Sequence, residues 1–173
     1  MKYFSMIALL VLSALQVGCA DTACEGEFTY TPDDWRKDDR WLLQSTADYW
    51  NEFTQSSLVT ITPWIPSEHK YEIPDACHIT PGKPMLDGDE KAGRYFPMSG
   101  NIVINDERLR ELYVPWGMYD QALLVTILHE VGHALKFKHV DNEENIMYPE
   151  LTWVYFNFGD QDKQQCIELG YCK

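Results

Sequence analysis

The stretch His129-Glu130-Val131-Gly132-His133-Ala134-Leu135-Lys136-Phe137-Lys138-His139 decides how the rest of this 173-residue chain is read. Two histidines four residues apart fall on one face of a helix, with a glutamate beside the first. That spacing can hold zinc and activate a water. With Asp120 as N-cap and about 100° per residue, Leu124, Ile127, Leu128, Val131 and Leu135 lie between about 160° and 260° from His129. On the same wheel His133 lies near about 40° and Glu130 near about 100°. A lone histidine is usually a core residue with its hydrogen bonds satisfied. Here two histidines and a glutamate share the face opposite an apolar stripe, so that face must open onto a cleft or solvent.

His139 adds a constraint. On a continuing helix it would lie about 240° round from His133 and about 9 Å further along the axis, too far to share a metal. The helix therefore stops near Leu135 or Lys136 and the chain turns back. The stop signal is weak, because lysine is a good helix former.

The segment resembles the signature His-Glu-x-x-His-x-x-Gly-x-x-His of the metzincin zinc metallopeptidases. Asn145-Ile146-Met147-Tyr148-Pro149 resembles their Met-turn, in the form typical of the matrixin branch. The resemblance implies His129, His133 and His139 as ligands of one catalytic Zn2+, Glu130 as general base, and Met147 beneath the metal site. Tyr148 follows Met147 directly and does not match the Met-x-Tyr spacing of the astacin and serralysin branches, so it is not assigned as a ligand. The family glycine is Lys136 here; a positive φ at that position costs a non-glycine residue about 1–2 kcal/mol. The implied fold is α+β: a metzincin-type domain with a mixed, mostly parallel twisted sheet, a long N-terminal helix, an active-site helix, the Met-turn and a C-terminal helix. The implied activity is zinc-dependent endopeptidase. A protein or peptide substrate would lie as an extra strand along Gly93, Arg94, Tyr95 and Phe96. The alternative reading is a catalytically silent surface protein of the same fold that binds a partner through its cleft or an aromatic rim. Lys136 favours it, and Glu130 argues against it.

Outside this core, residues 1–18 read as a signal peptide: Lys2 supplies a positive end and Ile7–Leu12 an apolar centre too short for a comfortable membrane span. Two endings fit. Gly18-Cys19-Ala20 reads as a small-residue cleavage site, and Val17-Gly18-Cys19 resembles a bacterial lipoprotein signal with Cys19 lipidated. Either way export is expected, as a membrane-anchored bacterial lipoprotein or a secreted protein. Residues 19–173 then form one domain. A net charge of −13 argues against nucleic acid and against a basic membrane-binding patch. A monomer is expected.

Setting Cys19 aside leaves Cys24, Cys77, Cys166 and Cys172, an even number that fits two disulfides in an exported chain, with three pairings open. The resemblance favours Cys24–Cys77, on strands that neighbour each other in a metzincin sheet, and Gly170 turns the chain between Cys166 and Cys172. Thr31-Pro32-Asp33-Asp34 reads as the start of one amphipathic helix running to about Phe53, with Trp35, Leu42, Tyr49 and Phe53 on its core stripe. Strands are expected at 28–30, 58–62 and 76–80, a hairpin at 93–96 and 101–105, and a last helix over 160–169 ended by Gly170. His69 and His78 read as ordinary loop histidines. Asp87, Asp89 and Glu90 cluster hard oxygen ligands that suit Ca2+, though without EF-hand spacing; a solvated acidic turn is the plainer reading. The run Trp153–Phe158 reads as packing beneath the site or, alternatively, as an aromatic rim.

Overall fold

Short runs of β-branched and aromatic residues pair into a sheet, and two long helices pack with it. The computed structural model describes residues 24–65, 77–83, 91–150 and 157–173. Within these, strands β1 (Glu27–Tyr30), β2 (Thr60–Pro63), β3 (Cys77–Pro81), β4 (Gly93–Phe96) and β5 (Asn101–Ile104) form one sheet in the order β2-β1-β3-β5-β4. The first four positions in that order are parallel; β4 runs antiparallel to β5, with Gly93 opposite Ile104 and Phe96 opposite Asn101. Parallel neighbours need a crossover, and helix α1 (Arg40–Thr54) supplies it between β1 and β2. The sheet is thus mixed and mostly parallel, as expected. Phe28, Ile79, Ile102 and Ile104 point into the core and are fully buried.

Helices α2 (Asp106–Tyr113), α3 (Tyr119–Ala134) and α4 (Asp160–Glu168) complete the described elements. Helix α3 is the spine. It packs on α1, α2, β4 and β5, and Leu123, Ile127, Leu128 and Val131 are buried. The Trp50 indole of α1 donates to the Leu128 carbonyl at 3.3 Å, locking the two long helices together.

Three sequence expectations need correction. The N-terminal helix does not run unbroken from Pro32. Pro32–Asp34 make one 3-10 turn, Trp35 is extended, and α1 begins at Arg40. Burial explains the break: Trp35 is 4% exposed and its indole donates to the Ile79 carbonyl at 3.4 Å, which holds it off a helical path. Asp39, just before α1, is bound by Arg110 of α2 and by the Tyr119 hydroxyl of α3, and the Arg110 guanidinium lies 4.0 Å over the Tyr119 ring. Second, the core stripe of α1 is Leu42, Leu43, Thr46, Ala47, Trp50 and Thr54. Tyr49 and Trp41 lie on its exposed flank. Third, α3 starts at Tyr119 with Met118 at its cap; Asp120 sits in the first turn, where its charge suits the positive helix end. Helix α2 had no counterpart among the expected elements. Its signal was Asn105 followed by Asp106 and Glu107, and the Asn105 side chain does accept from the Arg108 N–H.

Both expected disulfides form, Cys24–Cys77 with Cα atoms 5.4 Å apart and Cys166–Cys172 at 5.2 Å. His78, expected to be a loop histidine, stands in strand β3, where it is bonded to the Thr29 and Thr31 hydroxyls. The signal segment with Cys19, His69, the acidic group Asp87–Glu90 and Trp153–Phe156 lie outside the described residues. No helix among the described residues is long and apolar enough to cross a membrane.

Candidate active site and metal centre

The last two turns of α3 present His129 and His133, and the chain must reverse to add His139. It does so through a Schellman motif. The Phe137 N–H donates to the Gly132 carbonyl at 2.9 Å and the Lys136 N–H to the His133 carbonyl at 3.0 Å. Lys136 takes φ of 74° at the turn, the left-handed conformation that the resemblance assigns to glycine. Phe137 is then buried against Trp50, with ring centroids 4.9 Å apart, so apolar contact on the far side of the turn offsets the backbone strain.

The result brings three imidazoles together. His139 Nε2 lies 3.2 Å from His129 Nε2 and 3.0 Å from His133 Nε2. Among the described residues these three form the group able to share a metal, their ligand atoms all within 4.8 Å of one another. The other ring nitrogens fix the tautomers of His129 and His133. His129 Nδ1 faces the Ile146 carbonyl at 2.8 Å and His133 Nδ1 the Phe137 carbonyl at 3.0 Å. A carbonyl only accepts, so each Nδ1 carries its proton and each Nε2 offers a lone pair. Burial, reinforced by the neighbouring imidazoles, pushes the His129 pKa down to about 4. Burial also lowers those of His133 and His139. The lone pairs that His129 and His133 aim toward His139 Nε2 suit a cation held among the three rings. Tetrahedral zinc at about 2.0–2.1 Å from each nitrogen separates its ligands by about 3.3 Å, close to the spacing found. The donor set fits zinc.

Glu130 projects from α3 toward β4. Burial raises its pKa to about 7 against the opposing pull of a Tyr95 N–H bond and the Lys91 and Arg94 charges. Gly93 makes room for it: a Cβ there would lie 2.9 Å from Glu130 Cγ and 2.8 Å from Thr126 Cγ2. The histidines, Glu130 and the β4 edge line a cleft of about 530 Å³ that runs on past Leu112, Val125 and Tyr148. Of the four strand residues expected along the substrate path, Gly93, Arg94 and Tyr95 line this cleft. Phe96 does not; its ring supports the Arg94 guanidinium, 5.1 Å from the centroid.

Met147 is fully buried. It packs against Gly132, where a side chain would collide with its Sδ and with the Trp50 ring. Two residues that hold this turn were not singled out from the sequence. The buried Asp162 carboxylate accepts from the backbone N–H of Ile146 at 2.8 Å, Met147 at 3.3 Å and Gly159 at 3.1 Å. Reciprocally, Asn145 Oδ1 accepts from the N–H groups of Gln161 and Asp162 and so caps α4, which begins after a glycine with no capping side chain of its own. The available signal was an aspartate in the first turn of the last helix, but nothing local pointed to its partners.

No protein-family profile matches the chain, and no curated protein matches it. Solved structures do. A zinc-dependent peptidase from Methanocorpusculum labreanum (strain Z) aligns over 80% of this chain and 98% of its own, at 13% identity and a TM-score of 0.52. Metalloproteinase-II from Bacteroides fragilis aligns over 83% of this chain and 51% of its own, at 16% identity and a TM-score of 0.47. At such identities the likeness is one of fold: the chain shares its α+β architecture with a zinc-dependent peptidase.

Proposed function

We propose that this protein is an exported zinc endopeptidase of metzincin type, close to the matrixin branch, with residues 19–173 as its catalytic domain. The observation that carries the reading is the convergence of His129, His133 and His139, the first two with tautomers set by carbonyl partners, beside a buried carboxylate on the same helix. The three Nε2 atoms would hold the metal. Zinc there supplies a Lewis acid that polarises the scissile carbonyl and acidifies water.

Everything else falls to the chain. Glu130 accepts a proton from the attacking water at its carboxylate and passes it to the leaving amine nitrogen. A carboxyl with its pKa raised to about 7 is suited to both halves of that transfer. Edge strand β4 pairs with β5 on one side, and its other side lines the cleft, where an extended peptide can add as a further strand. Leu112, Val125 and Tyr148 offer an apolar recess for a side chain next to the scissile bond. The turn at Lys136 reaches the geometry that a His139 ligand needs, which supports the active reading over the catalytically silent one. The expected route is export through residues 1–18, with either lipidation at Cys19 or free release, and a monomer at work.

Metal analysis and a peptide-library digest test this together. Wild type should carry one zinc per chain and cleave in a chelator-reversible way. Glu130→Gln should keep the zinc and lose cleavage. Loss of zinc from that variant, or turnover equal to wild type, refutes the assignment of Glu130 as base.

A further inference from the structure

The chain is strongly acidic, yet the described residues that line its cleft are not. Its 27 Asp and Glu outnumber its 14 Lys and Arg. Among the described residues lining the cleft the order reverses: Lys91, Arg94 and Arg108 against Glu130 and Glu150. One of those two acids is the proposed base. The cations are also built into the site. Asn105 is 2% exposed. Its side-chain amide donates to the Lys91 carbonyl at 3.3 Å, and its N–H to the Ala92 carbonyl at 2.8 Å. The same Asn105 side chain accepts from the Arg108 N–H at 3.2 Å, at the start of α2. One buried asparagine therefore sets the backbone at two of the three cations. The third, Arg94, is oriented by its contact with the Phe96 ring. Arg108 meets Glu111 at 3.6 Å in a largely solvent-exposed pair, which an incoming carboxylate can exchange at little cost.

These charges do not serve the metal. Lys91 acts electrostatically on both His139 and Glu130, and Arg94 on Glu130. A cation beside a histidine cluster opposes the binding of a divalent ion. What they do favour is an anion lying along β4. At an ionic strength of about 0.15 M, screening over about 8 Å weakens the more distant acids of the surface, so a bound peptide responds most to the charges nearest β4.

We propose that the cleft selects acidic peptides, with Lys91 just before β4, Arg94 on it and Arg108 in the first turn of α2 receiving Asp or Glu side chains that flank the scissile bond. The choice of a peptide as ligand rests on the peptidase reading; the choice of charge rests on the cleft itself.

Two labelled peptide libraries of equal length test it, one containing Asp and Glu wherever the other contains Asn and Gln. Fluorescence anisotropy with zinc-loaded Glu130→Gln protein measures binding without turnover, and digestion by wild type is followed separately. The acidic library should bind about fivefold tighter, the scale expected of a few partly exposed ion pairs. Adding Lys91→Gln and Arg94→Gln should erase the difference, and Lys91→Glu with Arg94→Glu should invert it, with zinc content confirming the fold of each variant. Equal binding of the two libraries, binding of neither, or a preference that survives the double substitution overturns the inference. Charge-dependent binding without any digestion would sink the peptidase reading and leave the acidic preference standing; digestion of both libraries alike would do the reverse.

Discussion

Lys136 shows how a single position can depart from a motif and still serve it. Its φ of 74° is costly for a residue with a Cβ. The Schellman bonds to Gly132 and His133 and the burial of Phe137 hold it there. Lys136→Gly should relieve that strain and stabilise the protein by up to about 1 kcal/mol, less the entropy gained by an unfolded glycine. A higher denaturant midpoint at unchanged slope is the expected result. A lower midpoint would mean that the turn contributes no strain. Gly132 behaves in the opposite sense. It is glycine because Met147 and Trp50 occupy the space of a side chain. Gly132→Ala should therefore destabilise by about 1–3 kcal/mol through overpacking, and should weaken zinc binding because it sits between the two helical histidines. Wild-type melting and zinc affinity in that variant would contradict the packing described here.

At the scale of elements, the Met-turn and α4 form one unit. Neither end is satisfied alone: the turn's N–H groups need the Asp162 carboxylate, and the first N–H groups of α4 need Asn145. Asp162→Ala removes the acceptor of three backbone N–H bonds, two of them buried, and hydrogen bonds to a charged group contribute about 1.5–3 kcal/mol. A loss of at least about 3 kcal/mol is expected, together with weaker zinc binding, since Ile146 also accepts from His129 Nδ1. Chemical denaturation and zinc titration check both; a stable variant with intact affinity would show that Asp162 is dispensable. The same scale explains the misread N-terminal helix. Thr31-Pro32-Asp33-Asp34 is a good local start, and it does initiate a 3-10 turn. Trp35 and Asp39 are then claimed by Ile79, Arg110 and Tyr119, partners far away in sequence.

For the molecule as a whole, cross-links of two kinds matter, a metal and the disulfides. A metal held by His129, His133 and His139 would join α3 to the chain beyond its turn, so chelation should lower the melting temperature. Saturating zinc at about 1,000 times its Kd is worth about 4 kcal/mol. An unchanged melting temperature after chelation would argue against a site formed only in the folded state. The Cys24–Cys77 bridge spans 53 residues and Cys166–Cys172 only 6. In the chain-entropy view the first contributes about 4 kcal/mol and the second about 2. Paired Cys→Ser variants melted side by side should rank in that order, and the reverse ranking would count against entropy as the main contribution.

The histidine cluster at the centre was legible in the sequence because its residues are close in sequence. A helix turns a four-residue spacing into a shared face, and a histidine six residues on forces a reversal whose place can be inferred before it is seen. The hairpin, the last helix and the parallel character of the sheet followed from periodicity and from the resemblance those residues carry. What tertiary structure alone decided lies between residues distant in the chain. Examples are the Asp162 hold on Met147, the Asn105 anchor beneath Lys91, the space at Gly93 that admits Glu130, and the claim on Trp35 that delays α1. Each is a contact between backbone and side chain across separate elements, and nothing in local spacing encodes which partner a buried N–H or carboxylate will find.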